Sequence, residues 1–329
     1  MRKFVVTFMA VLLVTAIASC TKDGDGVYDG VYNPAKKIHK CYYQDASNEE
    51  KELQEIWNWD GPRLESIQYG HGSSQWVEYW TDSFTYEGNV LVRVNRGNEE
   101  YADFTYRDGC LYKIDTYIWS VLAVEYTFIY GDDNRLSEIS AVYYFDDEEE
   151  ASYEKHLNPL RLFLPQVICD RQEESRHRLA SKVRGTLGME TGTISFTWSG
   201  DNISRVYYDL KYEEEDDDYS YIQLSTLDIN MQYDTKRNPK EGFVGSFLGS
   251  GLSDNVAVFS SKNNVKNCVF ILRDVEYENG VLDPDPYIDK GEYHRNFEYD
   301  RDGYPVTINQ TDIDENGNSR IGTYFVEYL

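Results

Sequence analysis

The chain has 329 residues, a formal charge of −26, 15% aromatic residues including 29 Tyr, and 5 Cys. Acidity on this scale repels nucleic acid and anionic headgroups, so it excludes a nucleic-acid partner and leaves charge unable to hold the chain to a membrane. The aromatic content excludes a disordered acidic protein, and the length suits a large all-β domain.

From its start the chain reads as a lipoprotein precursor. Arg2 and Lys3 form a positive n-region, Phe4 to Ala16 is apolar apart from two Thr, and Ile17-Ala18-Ser19 sets small residues directly before Cys20. Small residues admit a signal peptidase, and the Cys20 thiol is the atom that carries diacylglycerol before cleavage makes it the new N-terminus. Residues 1–19 are therefore the expected signal peptide and Cys20 the expected lipidation site, with palmitate-type chains as the membrane anchor. The apolar run is shorter than the roughly 20 residues that span a bilayer. Cleavage removes Arg2 and Lys3 and leaves 30 Lys and Arg against 58 Asp and Glu. Residues 20–35 are polar and rich in Gly and Asp, the composition of a flexible tether, and 36–329 is one expected domain.

Within that domain one pattern recurs. Trp57-Asn58-Trp59-Asp60-Gly61, Phe84-Thr85-Tyr86-Glu87-Gly88 and Phe104-Thr105-Tyr106-Arg107-Asp108-Gly109 share it, as do Phe128-Ile129-Tyr130-Gly131, Phe196-Thr197-Trp198-Ser199-Gly200 and Phe297-Glu298-Tyr299-Asp300-Arg301-Asp302-Gly303. After each glycine comes an apolar pair three apart: Leu64/Ile67, Leu91/Val94, Leu111/Ile114, Leu136/Ile139, Ile203/Val206, and in the last unit Pro305-Val306-Thr307-Ile308. Aromatics at i and i+2 share one face of a strand, and Gly with Asp or Asn turns the chain into a returning strand, so each unit predicts a hairpin. Residues three apart on a regular strand face opposite ways. The apolar pairs therefore require either a bulge just after each turn or a sheet with apolar contacts on both faces, and both favour strong curvature. The expected fold class is all-β, an antiparallel meander forming a strongly curved sheet or barrel, with Thr323 to Tyr328 as an edge-covering or barrel-closing strand.

These units resemble YD (RHS-type) repeats, and with the lipobox the chain resembles a family of Bacteroides-type lipoproteins built around a domain of unknown function with a porin-like fold. Met231-Gln232-Tyr233-Asp234-Thr235-Lys236-Arg237-Asn238-Pro239 is similar to the YD-x-K-x-N-P turn of such proteins. The resemblance covers residues 50–329 in patches and lapses between Asn158 and Gly188. It implies a curved antiparallel barrel or half-barrel and offers no catalytic residues. Lys22-Asp23-Gly24-Asp25, close behind Cys20, loosely resembles the surface-export signal of the same lipoproteins, which implies the outer membrane with display at the cell surface rather than on the periplasmic face.

The remaining segments read as follows. Acid runs at 146–150 and 213–218 are expected as solvated hairpin ends. Residues 158–188 form an insert, with a helix over 166–184 after Pro165 that concentrates Arg171, Arg176, Arg178, Lys182 and Arg184 into a basic island. Cys41, Cys110, Cys169 and Cys268 are widely spaced without CxxC, so mostly buried free thiols are expected. His39, His71, His156, His177 and His294 show no metal-ligand spacing. Asp312-x-Asp314-x-Asn316-Gly317 opens like a calcium loop but has Thr323 where the bidentate Glu belongs, which favours an acidic hairpin turn. No nucleophile elbow or phosphate loop appears, and Gly242 to Gly251 lacks the phosphate-binding Lys. The reading is a non-catalytic binding or scaffold module needing no cofactor or metal, with its lipid in the membrane and a glycan or protein as partner. Trp57, Trp59, Trp76 and Trp80 are the candidate ligand-binding residues, as a sugar-stacking platform in a glycan-binding or glycan-processing protein. The reading preferred for these four is service in the core and the repeat, since aromatics are what strands use, with the platform as the second.

Overall fold

The computed structural model describes residues 29–48, 50–72, 76–97, 100–144, 189–216, 219–243 and 260–329. The signal peptide, Cys20, the acid run at 146–150, residues 217–218 of the second run, and the insert at 158–188 with its helix lie outside the described residues.

The strands are β1 Ile38–Asp45, β2 Glu52–Asp60, β3 Arg63–Gly72, β4 Val77–Glu87, β5 Val90–Arg96, β6 Glu100–Arg107, β7 Cys110–Ile118, β8 Val121–Tyr130 and β9 Leu136–Tyr144. They continue as β10 Met189–Ser199, β11 Asn202–Asp216, β12 Tyr219–Arg237, β13 Asn263–Glu278, β14 Val281–Leu282, β15 Tyr287–Tyr299, β16 Pro305–Ile313 and β17 Ser319–Tyr328. All pairings are antiparallel. β1 pairs with both β2 and β17, and β9 pairs with β10, so the meander closes into a sixteen-stranded barrel with β14 as a two-residue ribbon against the end of β13. The segment from Thr323 to Tyr328 closes the ring, with Tyr324 opposite Tyr43.

The strand alternation puts apolar side chains inside. On β7, Leu111, Ile114, Thr116 and Ile118 are buried while Lys113, Asp115 and Tyr117 are not. One continuous core runs from Trp57 and Leu64 on β2 and β3 to Phe270 and Tyr293 on β13 and β15. The outer wall carries ion pairs between neighbouring strands: Arg93 to Asp103 at 2.5 Å, Lys113 to Glu125 at 2.6 Å and Arg205 to Asp228 at 2.7 Å. This is apolar inside and charged outside, the reverse of a barrel whose outer band faces lipid.

One end of the barrel, here the near rim, is made by the repeated turns at Gly61, Gly88, Gly109, Gly131, Gly200 and Gly303; all but Gly131 have positive φ. Of the two readings of the apolar pairs, the bulge is the one found. Phe84 pairs with Val94 but Tyr86 with Leu91, so one extra residue on the returning strand turns both apolar side chains inward, and Leu91 and Val94 are buried. The same register shift recurs in the hairpins β2–β3, β6–β7, β10–β11 and β15–β16, and between β8 and β9.

The bulges explain the second aromatic of each repeat. Beyond them the ladder to the next hairpin stops: β3 and β4 last pair at Ser66 and Ser83, which leaves the Leu64 carbonyl without a strand partner. Three residues on from Ser83, the Tyr86 hydroxyl donates to that carbonyl at 2.9 Å. The same step recurs from Trp59 to Ile38, Tyr130 to Leu111, Trp198 to Leu136, Tyr233 to Ile203 and Tyr328 to Pro305, at 2.5 to 2.9 Å. A belt of aromatic hydroxyl and indole donors thus stitches hairpin to hairpin around the near rim.

Two second aromatics depart from the belt: the Tyr299 hydroxyl donates to the Asp234 carboxylate rather than to a carbonyl, and Tyr106 makes no such bond. The Leu91 amide beside it donates to the Gly30 carbonyl at 2.9 Å, and the Tyr106 hydroxyl is buried without a partner. Gly30 has φ +77°, and a Cβ there would lie 2.5 Å from the Tyr106 hydroxyl. Two residues on, Tyr32 is buried, donates to the Pro239 carbonyl at 2.8 Å and packs against Trp57, Trp59 and Phe243. Of the expected tether over 20–35, residues 20–28 lie outside the described residues, and the part from Asp29 to Tyr32 is docked into the near rim. The thiols need a correction. Cys41 and Cys268 are free, but Cys110 is disulfide-bonded.

Candidate binding site

The four candidate tryptophans divide between the two ends of the barrel. Trp57 and Trp59 belong to the near-rim plug. Trp57 is 2% exposed, donates to Glu55 Oε2 at 2.9 Å and meets the Phe243 ring at 5.3 Å, with Lys240 Nζ over its face at 5.6 Å. Trp59 stacks on Trp57 at 6.5 Å, and Lys37 lies 5.0 Å from its centroid. Both serve the core.

Trp76 and Trp80 lie at the far end of β3 and β4. Tyr69 pairs with Trp80, Gly70 with Glu78, and the extra residue Tyr79 bulges between them. The bulge lines four rings into a row: Tyr69 to Trp80 at 5.6 Å, Trp80 to Tyr79 at 5.8 Å, and Tyr79 to His71 at 5.1 Å. Gly70 makes room for it, since a Cβ there would lie 2.2 Å from the Val77 carbonyl and 2.8 Å from the Trp76 ring. The row runs from buried Tyr69 to Tyr79, which is 57% exposed. On the neighbouring outer face the carboxylate of Glu78 accepts from Gln68 Nε2 and Thr81 Oγ1 at 2.8 Å.

Below this row the inner wall turns polar. Asp82 and Arg96 form a buried bidentate pair at 2.8 and 2.9 Å, with Arg96 5.3 Å from the Trp80 centroid. Burial alone would push the Arg96 guanidinium down, but the Asp82 charge and hydrogen bonds outweigh it and hold it above its ordinary value. Farther round, Arg295 Nε donates to Gln310 Oε1 at 2.8 Å, and Gln310 Nε2 donates to Asp312 Oδ1 at 2.7 Å. At the rim beyond, Arg320 reaches Asp45 at 2.9 Å.

Among the described residues, no group of three His, Cys, Asp or Glu side chains is placed to hold a metal ion. The calcium-like stretch is a hairpin turn: Asp314 accepts the amides of Asn316 and Asn318, while Asp312 points into the barrel. Burial pushes the Cys268 thiol up to about 12, which leaves it protonated at neutral pH. Counting tryptophans alone missed Tyr69, Tyr79 and His71. The aromatic density of Trp76-Val77-Glu78-Tyr79-Trp80 was the signal for them.

No protein-family model matches the chain, and no curated protein does. Among solved structures it is similar to a porin-like protein from Bacteroides uniformis, with a TM-score of 0.40 and 10% identity over 88% of this chain and 96% of that one. It is also similar to a porin-like protein from Bacteroides vulgatus, with a TM-score of 0.33 and 9% identity over 89% of this chain and 99% of that one.

Proposed function

We propose that the chain is a lipid-anchored, non-catalytic binding module of the outer membrane, a water-soluble barrel held to the bilayer through Cys20 and displayed at the cell surface. The observation that carries this reading is the polarity of the wall. Ion pairs such as Arg93–Asp103 and Lys113–Glu125 stand mid-strand on the outside, where a spanning barrel needs an apolar band about 25 Å tall. The docked tether supports the orientation. Asp29 lies nine residues beyond Cys20, a reach of roughly 30 Å when extended, and it enters at the near rim. The near rim then faces the membrane, and the far rim with Trp76, Tyr79, His71 and Trp80 faces away.

Two measurements test it. Cys20→Ser should abolish incorporation of labelled palmitate, and continued labelling would end the anchor reading. A chain beginning at Thr21 should melt cooperatively in buffer without detergent; a need for micelles would replace the module with a pore. A glycan is the ligand class favoured by the exposed ring row, because flat aromatic faces suit the C–H faces of sugars. Binding on a glycan array that falls at least tenfold in Tyr79→Ala supports it, and binding unchanged in Tyr79→Ala removes this site.

A further inference from the structure

The described residues include four buried acids on the inner wall, and three have a donor. Asp82 has Arg96, Glu55 has the Trp57 indole, and Asp312 has the Gln310 amide. Asp274 on β13 is the exception: it is 1% exposed, and neither carboxylate oxygen has a hydrogen-bond partner. The register sets it directly between Ser225 on β12 and Tyr287 on β15. Ser225 is equally buried, and its Oγ accepts from Gln223 Nε2 at 3.1 Å. Glu276 follows two residues along β13 on the same face, and Asp289 on β15 sits opposite Leu272, so the nearest charges along that face of β13 and β15 are also negative.

A carboxylate offers about four acceptor positions, and burying one with none filled is among the least favourable placements a side chain can take. Neighbouring acids make it worse. A cation that brings its own N–H donors reverses both terms, supplying charge and hydrogen bonds together. The immediate cross-strand neighbours, Ser225 and Tyr287, are neutral oxygens, and no three metal-type ligands converge among the described residues. The anchor therefore suits a univalent ligand better than calcium, which takes six to eight oxygens.

We propose that Asp274, with Ser225 and Tyr287 beside it, is the anchor of a binding site inside the barrel for a primary ammonium or guanidinium group. The proposal deepens the binding-module reading by naming a charge for the ligand.

Thermal unfolding of the full chain tests it, with methylammonium, guanidinium below denaturing concentration, sodium or calcium chloride at equal ionic strength. Wild type, Asp274→Asn and Asp274→Leu are compared. Methylammonium or guanidinium should raise the wild-type midpoint with saturation, and sodium and calcium should not. Both variants should lose that response while melting cooperatively, with midpoints in sodium at or above wild type, because an unpaired buried charge has gone. No response in wild type, or a response that survives in Asp274→Asn, overturns the site. A calcium-specific shift lost in Asp274→Asn overturns it in favour of a metal. Variants that melt below wild type in sodium, or do not fold, reveal an internal partner for Asp274 and overturn it too. Should this site fall by any of those results, glycan binding retained in Asp274→Asn would leave the module reading standing.

Discussion

In the near half of the barrel the inner wall is a layered apolar core whose polar tips are tied off by the aromatic belt; in the far half the same wall carries Asp82–Arg96, Arg295–Gln310–Asp312 and the unpartnered Asp274. The near half repeats the same parts hairpin after hairpin. The far half has no repeat, and its strands differ in reach: β5 has 7 residues and β12 has 19. A closed sheet with one regular, sealed end can vary at the other without losing register, because each near-rim turn and bulge sets the pairing of its own hairpin. The difference teaches that the repeated, apolar packing is concentrated at one end and the buried polar groups at the other.

The largest effects should come from breaking each half in its own currency. Phe104→Ala in the near half should cost about 3 to 5 kcal/mol in denaturant melts, while Thr105→Ala beside it, exposed on the outer wall, should cost less than about 0.5 kcal/mol. In the far half, Arg96→Met should cost about 3 to 5 kcal/mol because Asp82 is left buried and unpaired, and adding Asp82→Leu should recover most of it. Failure of that rescue would mean the far half is held by packing like the near half, and the contrast would collapse.

A smaller effect isolates the belt. Tyr130→Phe removes the donor to the Leu111 carbonyl and should cost about 1 kcal/mol, whereas Tyr106→Phe removes a hydroxyl with no partner and should cost nothing measurable. Equal losses in urea midpoints would show that the hydroxyls act through packing alone.

The smallest concerns the far rim at low pH. The Ser47 hydroxyl and amide, and then Arg320, hold the Asp45 carboxyl at about 2, below its ordinary value of 3.8. A lowered carboxyl adds stability that is present above the unfolded value and is lost as pH falls through the folded one. Asp45→Asn should therefore cost about 0.5 kcal/mol near pH 6, a figure reduced for its partial exposure, with the difference shrinking as pH falls through about 2. A pH-independent difference between the two melts would remove the charge from the account.

Legibility followed the same divide. Aromatic-x-aromatic, turn glycine and Leu-x-x-Ile are local devices, so the hairpins, the curvature and even the choice between bulge and two-sided sheet were posed by neighbouring residues. Core and platform could not be told apart among Trp57, Trp59, Trp76 and Trp80 because composition carries no depth. The docking of Gly30 and Tyr32 was hidden for a related reason: composition does not show that a surface of the right shape, here Tyr106, Leu91 and Phe243, is brought against a short Gly/Asp segment.

By itself the sequence determined the strand period, the turn positions, the inward aromatics and the outward charges, since each depends on residues within a few positions of one another. Only the tertiary structure decided that the meander closes, that second aromatics reach the carbonyls of the preceding hairpin, and that Asp82 meets Arg96 while Asp274 meets no donor. Those outcomes depend on which strands become neighbours and at what register, and a burial environment made by sixteen strands together exists in no single segment of the chain.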